Sequence, residues 1–204
     1  MQFYNREKEL EIMSMLDEGK PSFLVITGKR RVGKTELIKQ FTRDRKALYL
    51  FVDSNKSIDI LMGEFDRLIK ETLDLPDYIK LDEPEKFLKF ITSYDSDLIL
   101  AMDEFQRFLK VHPTFISQLQ KYWDMKPDNC RVFLIVSGSS VGMIKKIFIE
   151  AQAPLFKRAD NIMTLKPFTV RETLEMLENM GIKELEEKLN LYFLFGGTVY
   201  YYRL

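Results

Sequence analysis

The chain has one cysteine, Cys130, and one histidine, His112, in 204 residues. A lone cysteine cannot close an intramolecular disulfide, and Cys130 stands just ahead of a strand-like run, as a plain buried or boundary thiol in a reducing compartment would. A lone histidine leaves no histidine-rich ligand set, which argues against a zinc centre and against histidine-based acid–base chemistry. Net charge is missing too. Lys+Arg 31 against Asp+Glu 31 give a formal charge of +0. No global field therefore draws the chain to nucleic acid or to anionic lipid, and any such contact has to be local. No apolar run approaches the roughly 20 residues that span a bilayer, and Tyr4-Asn5-Arg6-Glu7-Lys8 is not an apolar leader. These absences lead us to expect a cytoplasmic protein with no membrane partner. Internal repeats and low-complexity linkers are also absent from the sequence.

What is present is enough for a full core: 46% hydrophobic and 30% charged residues predict one globular domain with a small appendage. Apolar runs at 22–27, 47–52, 97–102, 132–136 and, less regular, 162–165 read as strands. Several are apolar on both faces, as buried parallel strands are. Helical stripes alternate with them: Ile58, Leu61, Met62, Phe65, Leu68, Ile69 and Leu73, then Phe115, Ile116, Leu119, Tyr122 and Trp123 after Pro113. Thr169 with Glu172 forms a capping box for a helix that Gly181 closes, and a further helix follows from 183 to about 194. The pattern predicts a three-layer α/β/α sandwich on a parallel sheet of about five strands, with a small C-terminal helical lobe. We place the α/β domain at 1–166 and the start of the lobe at 167–204.

The first strand runs straight into Gly28-Lys29-Arg30-Arg31-Val32-Gly33-Lys34-Thr35, a G-x-x-x-x-G-K-T loop opening a helix. The two glycines let consecutive N–H groups turn inward on a phosphate chain, and the helix from Glu36 onward aims its positive dipole end at the anion. Lys34 supplies a mobile ammonium for the outer phosphates, and the Thr35 hydroxyl is a hard oxygen ligand for their Mg²⁺. Lys29, Arg30 and Arg31 read either as phosphate contacts or as exposed loop cations. A glycine-rich turn with a solvated lysine is the competing reading of the whole motif, and the flanking strand and amphipathic helix count against it.

The second motif is the apolar run 97–102 ending in Asp103-Glu104. Open α/β sheets bind ligands at the carboxyl ends of their strands, so these acids fall at a ligand edge. Asp103 would hold Mg²⁺ through water, and Glu104 would orient and deprotonate an attacking water, which favours hydrolysis over storage of nucleotide. The third is Ser137-Gly138-Ser139-Ser140 after the run 132–136. Ser137 or Ser139 would reach the γ-phosphate or the attacking water; an ordinary turn in which Ser140 caps the next helix is the alternative.

Together, Gly28 to Thr35, Asp103-Glu104-Phe105-Gln106 and Ser137-Gly138-Ser139-Ser140 resemble the archaeal-type ATPase family, within the AAA+/STAND branch of P-loop ATPases. The resemblance implies further roles. The segment with Tyr4 and Arg6 resembles the family's adenine-side motif, with Asn5 in place of glycine, a residue that tolerates left-handed backbone. Asn5 as a helix cap is the alternative. Arg158, in Pro154-Leu155-Phe156-Lys157-Arg158, resembles an arginine near the outer phosphate, acting in cis or toward a neighbouring subunit; a surface ion pair is the other reading. Gly196-Gly197-Thr198-Val199 resembles a Gly-Gly-x-Pro turn over the nucleotide, with Val199 where proline is usual. The family usually continues into a winged-helix domain. This chain is therefore expected to be a fragment or to lack that module, and DNA contact is expected only through modules absent here.

The expected function is an ATP-binding, Mg-dependent ATP hydrolase acting as a switch or motor on an unidentified protein partner, with ATP/ADP and Mg as cofactors and oligomerisation allowed by the resemblance. The alternative is a nucleotide-binding interaction module with negligible turnover. A GTPase is disfavoured because Asn55-Lys56-Ser57-Ile58 lacks the aspartate of the guanine motif.

Overall fold

A computed structural model describes residues 3–202 of the chain, so the outer limits expected for the two regions, 1 and 204, lie outside the described residues. Five strands form one wholly parallel sheet: β1 (Ser22–Thr27), β2 (Ala47–Phe51), β3 (Leu98–Asp103), β4 (Val132–Gly138) and β5 (Asn161–Thr164), in the order β2-β3-β4-β1-β5. The order has one consequence for function. β4 lies between the strand that leads into the glycine loop and the strand that ends in the acid pair.

The strands that are apolar on both faces are buried on both faces. Phe23 and Val25 of β1, Leu98, Leu100 and Met102 of β3, and Val132, Leu134 and Val136 of β4 pack into one core. The alternate residues Leu24, Ile26, Ile99, Ala101, Phe133 and Ile135 pack into a second. Period-two alternation thus divides each strand between two helical layers. The larger layer holds α3 (Ile58–Leu73), α4 (Pro84–Thr92), α5 (Phe108–Val111), α6 (Thr114–Asp124) and α7 (Val141–Phe148). Its centre is aromatic: Phe23 meets Trp123 edge-on at 5.2 Å and Phe148 at 5.6 Å, and Phe108 stacks on Phe115 at 3.8 Å. The smaller layer is α1 (Glu7–Leu16) and α2 (Lys34–Thr42), with Met13, Leu37, Ile38 and Phe41 inward. This is the three-layer α/β/α sandwich expected from the strand and helix pattern. Among the described residues no helix is long and apolar enough to cross a membrane.

Element limits differ from the sequence reading in ways the ladder explains. β4 runs on to Gly138 because it stays paired with β1 through Ile26↔Ser137 and Thr27↔Gly138. β3 starts one residue later than expected, at Leu98, and includes Asp103, which pairs with Phe51. α4 is a helix the pattern did not single out. Pro84 stands at its start and Phe87, Leu88 and Ile91 are buried, but it is only 9 residues long.

Beyond β5, α8 (Val170–Asn179) and α9 (Leu185–Phe195) enclose a small third core of Phe168, Met176, Leu177 and Tyr202. The capping box is formed: Glu172 N–H donates to the Thr169 hydroxyl at 3.3 Å and Thr169 N–H donates to Glu172 Oε2 at 2.6 Å. The Thr169 N–H, with its hydroxyl, holds the Glu172 carboxyl below its ordinary value of 4.5, against a weaker opposing effect of burial. A carboxylate with a lowered folded-state pKa adds stability above its unfolded pKa and loses it as pH falls through the folded value. Thr169→Ala is therefore expected to cost about 1 kcal/mol in chemical denaturation at pH 7. The stability gap between wild type and Glu172→Gln should close as pH drops below about 4. A gap that stays constant from pH 7 to pH 3 would contradict the cap.

Candidate functional site

The site lies where β1, β3 and β4 end. Gly28 and Gly33 take φ of +149° and +99°, and Gly33 is the residue preceding the first turn of α2. An added Cβ on Gly28 would stand 2.3 Å from the Leu165 carbonyl oxygen, so this turn needs glycine against the end of β5. The loop between them also holds Arg31 at φ +68°, a left-handed setting that costs a non-glycine residue on the order of 1 kcal/mol. Val32 is buried in the α2-side core and anchors the loop.

Lys34 is 6% exposed and folds back on its own loop, its Nζ donating to the carbonyls of Gly28 and Lys29 at 2.9 Å each. Burial pushes its ammonium pKa down, opposed by attraction to Glu104 and Asp103. Lys29 thus contributes a backbone carbonyl, and its exposed side chain does not line the cleft. Thr35 donates to Asp103 Oδ2 at 2.7 Å, joining the first turn of α2 to the tip of β3.

Asp103 is 4% exposed and accepts hydrogen bonds on both oxygens. Oδ2 takes the hydroxyls of Thr35 and of Tyr49, the latter at 2.5 Å. Oδ1 takes the Ser137 hydroxyl and, at 2.9 Å, the Glu104 N–H. Burial is the largest influence on its pKa and acts upward, yet the hydrogen bonds together outweigh it and leave the carboxyl below its ordinary range. Burial and the bond to Asp103 push the Tyr49 phenol well above its ordinary value.

Glu104 also has left-handed backbone, φ +58°, which swings the chain from β3 into the 3₁₀ turn Phe105–Arg107. Its Oε2 accepts from Gln106 Nε2 at 2.7 Å and from Ser139 Oγ at 2.9 Å, and Arg107 Nε stands at 3.4 Å. Ser137 and Ser139 therefore divide the work: Ser137 holds Asp103 and Ser139 holds Glu104. Ser140 precedes α7 without a side-chain capping bond.

These groups open on a cleft of about 660 Å³, within the size of pockets that take small organic ligands. Arg6, Arg30, Arg31, Lys34, Lys39 and Arg43 line it against Glu36, Asp103 and Glu104. A chain with no net charge thus gathers a local excess of cations here. Phe3, Tyr4, Phe168, Val199 and Tyr200 add apolar and aromatic surface to its lining. Asn5 and Arg6 both adopt left-handed backbone, φ +52° and +80°, so the turn survives the loss of glycine. Arg6, not Asn5, precedes α1, and neither side chain caps it. Arg6 instead donates to the Lys166 carbonyl at 2.6 Å and lies 4.5 Å above the Phe168 ring. Arg31 stacks on Tyr200 at 4.6 Å and donates to the Tyr201 hydroxyl at 2.9 Å.

Arg158 is not brought to the cleft. Its Nε donates to the Asp124 oxygens at 3.0 and 3.1 Å and its Nη2 at 2.8 Å, so the ion-pair reading describes it and the phosphate role implied by resemblance does not hold within this chain. A guanidinium clamped on a carboxylate at the end of α6 is held by a stronger local partner. The sequence reading missed Tyr49 and Arg107, and quoted Gln106 in the motif without giving it a role. Gln106 and Arg107 were adjacent to the acid pair and Tyr49 lay in the strand that pairs with it, but only the strand order reveals which side chains converge.

A mixed cation and acid cleft at the carboxyl edge of a parallel sheet, with a glycine loop at the start of a helix, defines a P-loop ATPase-like domain. The chain belongs to the family described as "ATPase domain predominantly from Archaea", whose model matches residues 3–202. It is 28% identical over 200 residues to "Uncharacterized protein MJECL04" of Methanocaldococcus jannaschii, covering 98% of this chain and 43% of that protein. The chain thus spans under half the length of that relative. Among solved structures, the Walker-type ATPase PABY2304 of Pyrococcus abyssi superposes with a TM-score of 0.68 at 18% identity, covering 96% of this chain and 64% of that one. The ORC2 protein of Aeropyrum pernix, in ADPNP–ADP complexes, gives 0.66 at 17% identity, covering 87% and 51%. At these identities the structures speak for the fold.

The donor set at Thr35 and Asp103 suits magnesium: both supply hard oxygens, 2.7 Å apart, beside a cationic cleft. Among the described residues no group of three or more His, Cys, Asp or Glu could hold a metal unaided. A cation here would complete its shell with phosphate oxygens and water, as Mg²⁺ commonly does. Truncation of Asp103 should register in stability. Asp103→Ala orphans the fully buried Ser137 hydroxyl and is expected to destabilise the metal-free protein by about 2 kcal/mol in urea unfolding. A gain in stability would mean that relief of carboxylate desolvation outweighs the hydrogen bonds.

Proposed function

We propose that this domain binds a nucleoside triphosphate with magnesium in the cleft, and that it hydrolyses the γ-phosphate. The observation that carries the reading is the Thr35–Asp103 hydrogen bond at 2.7 Å, which sets a hydroxyl and a carboxylate side by side next to Lys34. In this reading the N–H groups at the start of α2 face the phosphates, and Lys34 exchanges its two loop carbonyls for phosphate oxygens. Thr35 and Asp103 are the residues that would hold Mg²⁺. The metal, when bound, neutralises phosphate charge.

Glu104 is the general base. Its carboxylate orients a water for in-line attack and accepts the proton, while Ser139 and Gln106 fix the carboxylate by donating to Oε2. Charge on the outer phosphates, first assigned to Arg158, falls in this reading to Arg30, Lys39 and Arg43 of the cleft. The aromatic lining residues Tyr4, Phe168 and Tyr200 take the base. Adenine is favoured by membership of an ATPase family and by the adenine nucleotides of the ORC2 neighbour. Arg31, tied to Tyr200 and Tyr201, gives a route by which phosphate charge reaches the lobe, consistent with a nucleotide switch acting on a protein partner.

A second reading, nucleotide binding with negligible turnover, is favoured by one feature: Glu104 Oε2 is already engaged by Gln106, Ser139 and Arg107. Two variants separate the readings. Lys34→Ala is expected to weaken Mg-ATP binding by at least tenfold in a fluorescent-nucleotide titration. Glu104→Gln is expected to bind within about twofold of wild type and to lose turnover by roughly 10²-fold or more in a phosphate-release assay. Equal binding by Lys34→Ala would remove the site. Binding without turnover in both wild type and Glu104→Gln would leave the second reading.

A further inference from the structure

We propose that Tyr49 is a positioning residue for the cation site: its phenol fixes the orientation in which the Asp103 carboxylate serves magnesium. The inference rests on the magnesium-nucleotide reading above. Tyr49 does not line the cleft and touches the site through Asp103 and through the Thr35 hydroxyl beside it. Its placement follows from register. β2 pairs with β3 so that Tyr49 opposes Ala101 and Phe51 opposes Asp103. Alternation then puts Tyr49 and Asp103 on the same face, that of α2, as diagonal neighbours within reach of a long side chain. The neighbour directly opposite is alanine, whose single methyl leaves the ring room along the sheet.

The hydrogen bonds show what the phenol adds. The terminal torsion of an aspartate is soft, with a broad, roughly two-fold profile, so its carboxylate plane is set by its partners. Ser137 and the Glu104 N–H act on Oδ1, and Thr35 and Tyr49 act on Oδ2. Thr35 would also be a ligand of the cation, so its hydroxyl has to serve two partners. Tyr49 is the donor on Oδ2 that is not itself a ligand of the cation in this reading, although its phenol also meets the Thr35 hydroxyl. Two opposed effects decide the sign of its contribution. A donor withdraws charge from Oδ2 and weakens attraction for a cation, while it also holds the oxygen at one place. Magnesium demands near-ideal octahedral geometry and calcium tolerates many. Orientation should therefore dominate for Mg²⁺ and count for little with Ca²⁺.

The experiment uses the full chain, a fluorescent ATP analogue, and separate titrations with Mg²⁺ and Ca²⁺, comparing wild type with Tyr49→Phe. The ring is kept, so the metal-free melting temperature should stay within a few degrees and analogue binding in EDTA within about twofold. Half-saturating Mg²⁺ should rise about tenfold, the size typical for loss of an outer-shell partner, and half-saturating Ca²⁺ less than threefold. Equal losses for both ions, or a loss of analogue binding in EDTA, would assign Tyr49 a structural or purely electrostatic role and overturn the proposal. So would an unchanged Mg²⁺ response in the variant. A wild type whose analogue binding ignores Mg²⁺ would instead remove the parent reading, and this one with it.

Discussion

The site turns on one buried carboxylate. Asp103 joins the tip of β3 to β2 through Tyr49, to β4 through Ser137 and to α2 through Thr35. The strand order is what makes this convergence available. With β4 between β1 and β3, the Ser137 hydroxyl projects at the centre of the edge, and the glycine loop and the acid pair stand on either side of it. A carboxylate this dry would ordinarily shed its charge, and burial does act in that direction. Four donors oppose it and prevail, so the anion is kept in a place that water barely reaches.

Lys34 is the counterpart. Its burial lowers the affinity for its proton, and the two acids across the cleft restore part of it. Cation and acids are thus held by one another as well as by the loop, and none is free to relax into solvent. The backbone around them is correspondingly strained. Arg31 and Glu104 are both left-handed without being glycine, one in the phosphate loop and one directly after the strand tip. Such settings persist only where surrounding contacts over-determine them, and here those contacts are the tyrosines beneath Arg31 and the Gln106–Ser139 pair on Glu104.

What the sequence revealed was local. The loop from Gly28 to Thr35 and the Asp103-Glu104 pair are contiguous motifs, and a strand ending in them could be read without any knowledge of pairing. The capping box at Thr169 is another contiguous signal, and its bonds are formed. Ser137 and Ser139 could be named but not told apart, because their different duties depend on which lies beside β3. Tyr49 was invisible for the same reason, since an apolar strand with a tyrosine is ordinary until register sets it diagonal to Asp103. α4 carried a real apolar stripe, but over too few residues to stand out from a loop with a proline. Arg158 is the opposite case, where the role within this chain was not legible. Its role came from resemblance alone, and Asp124, a residue with no motif around it, decides where that guanidinium goes.

The departure at Val199 also finds its place. Val199 packs against the small core of Phe168, Met176, Leu177 and Tyr202 and lines the cleft, without the fixed backbone that a proline would bring there. That core is modest beside the two that flank the sheet, and much of what fastens it to the rest is polar and borne on loops. Asn5 donates to the Glu172 carbonyl, Arg6 lies over the Phe168 ring, and Arg31 reaches Tyr201. Two of these fastenings, Arg6 and Arg31, are themselves cations of the cleft. Negative charge arriving there competes with the Phe168 ring and the tyrosines for the same guanidinium groups, whereas the aromatic core behind β3 and β4 has no such exposure. In the reading proposed above, the position of the lobe is therefore the feature of this fold on which a bound phosphate chain would bear most directly.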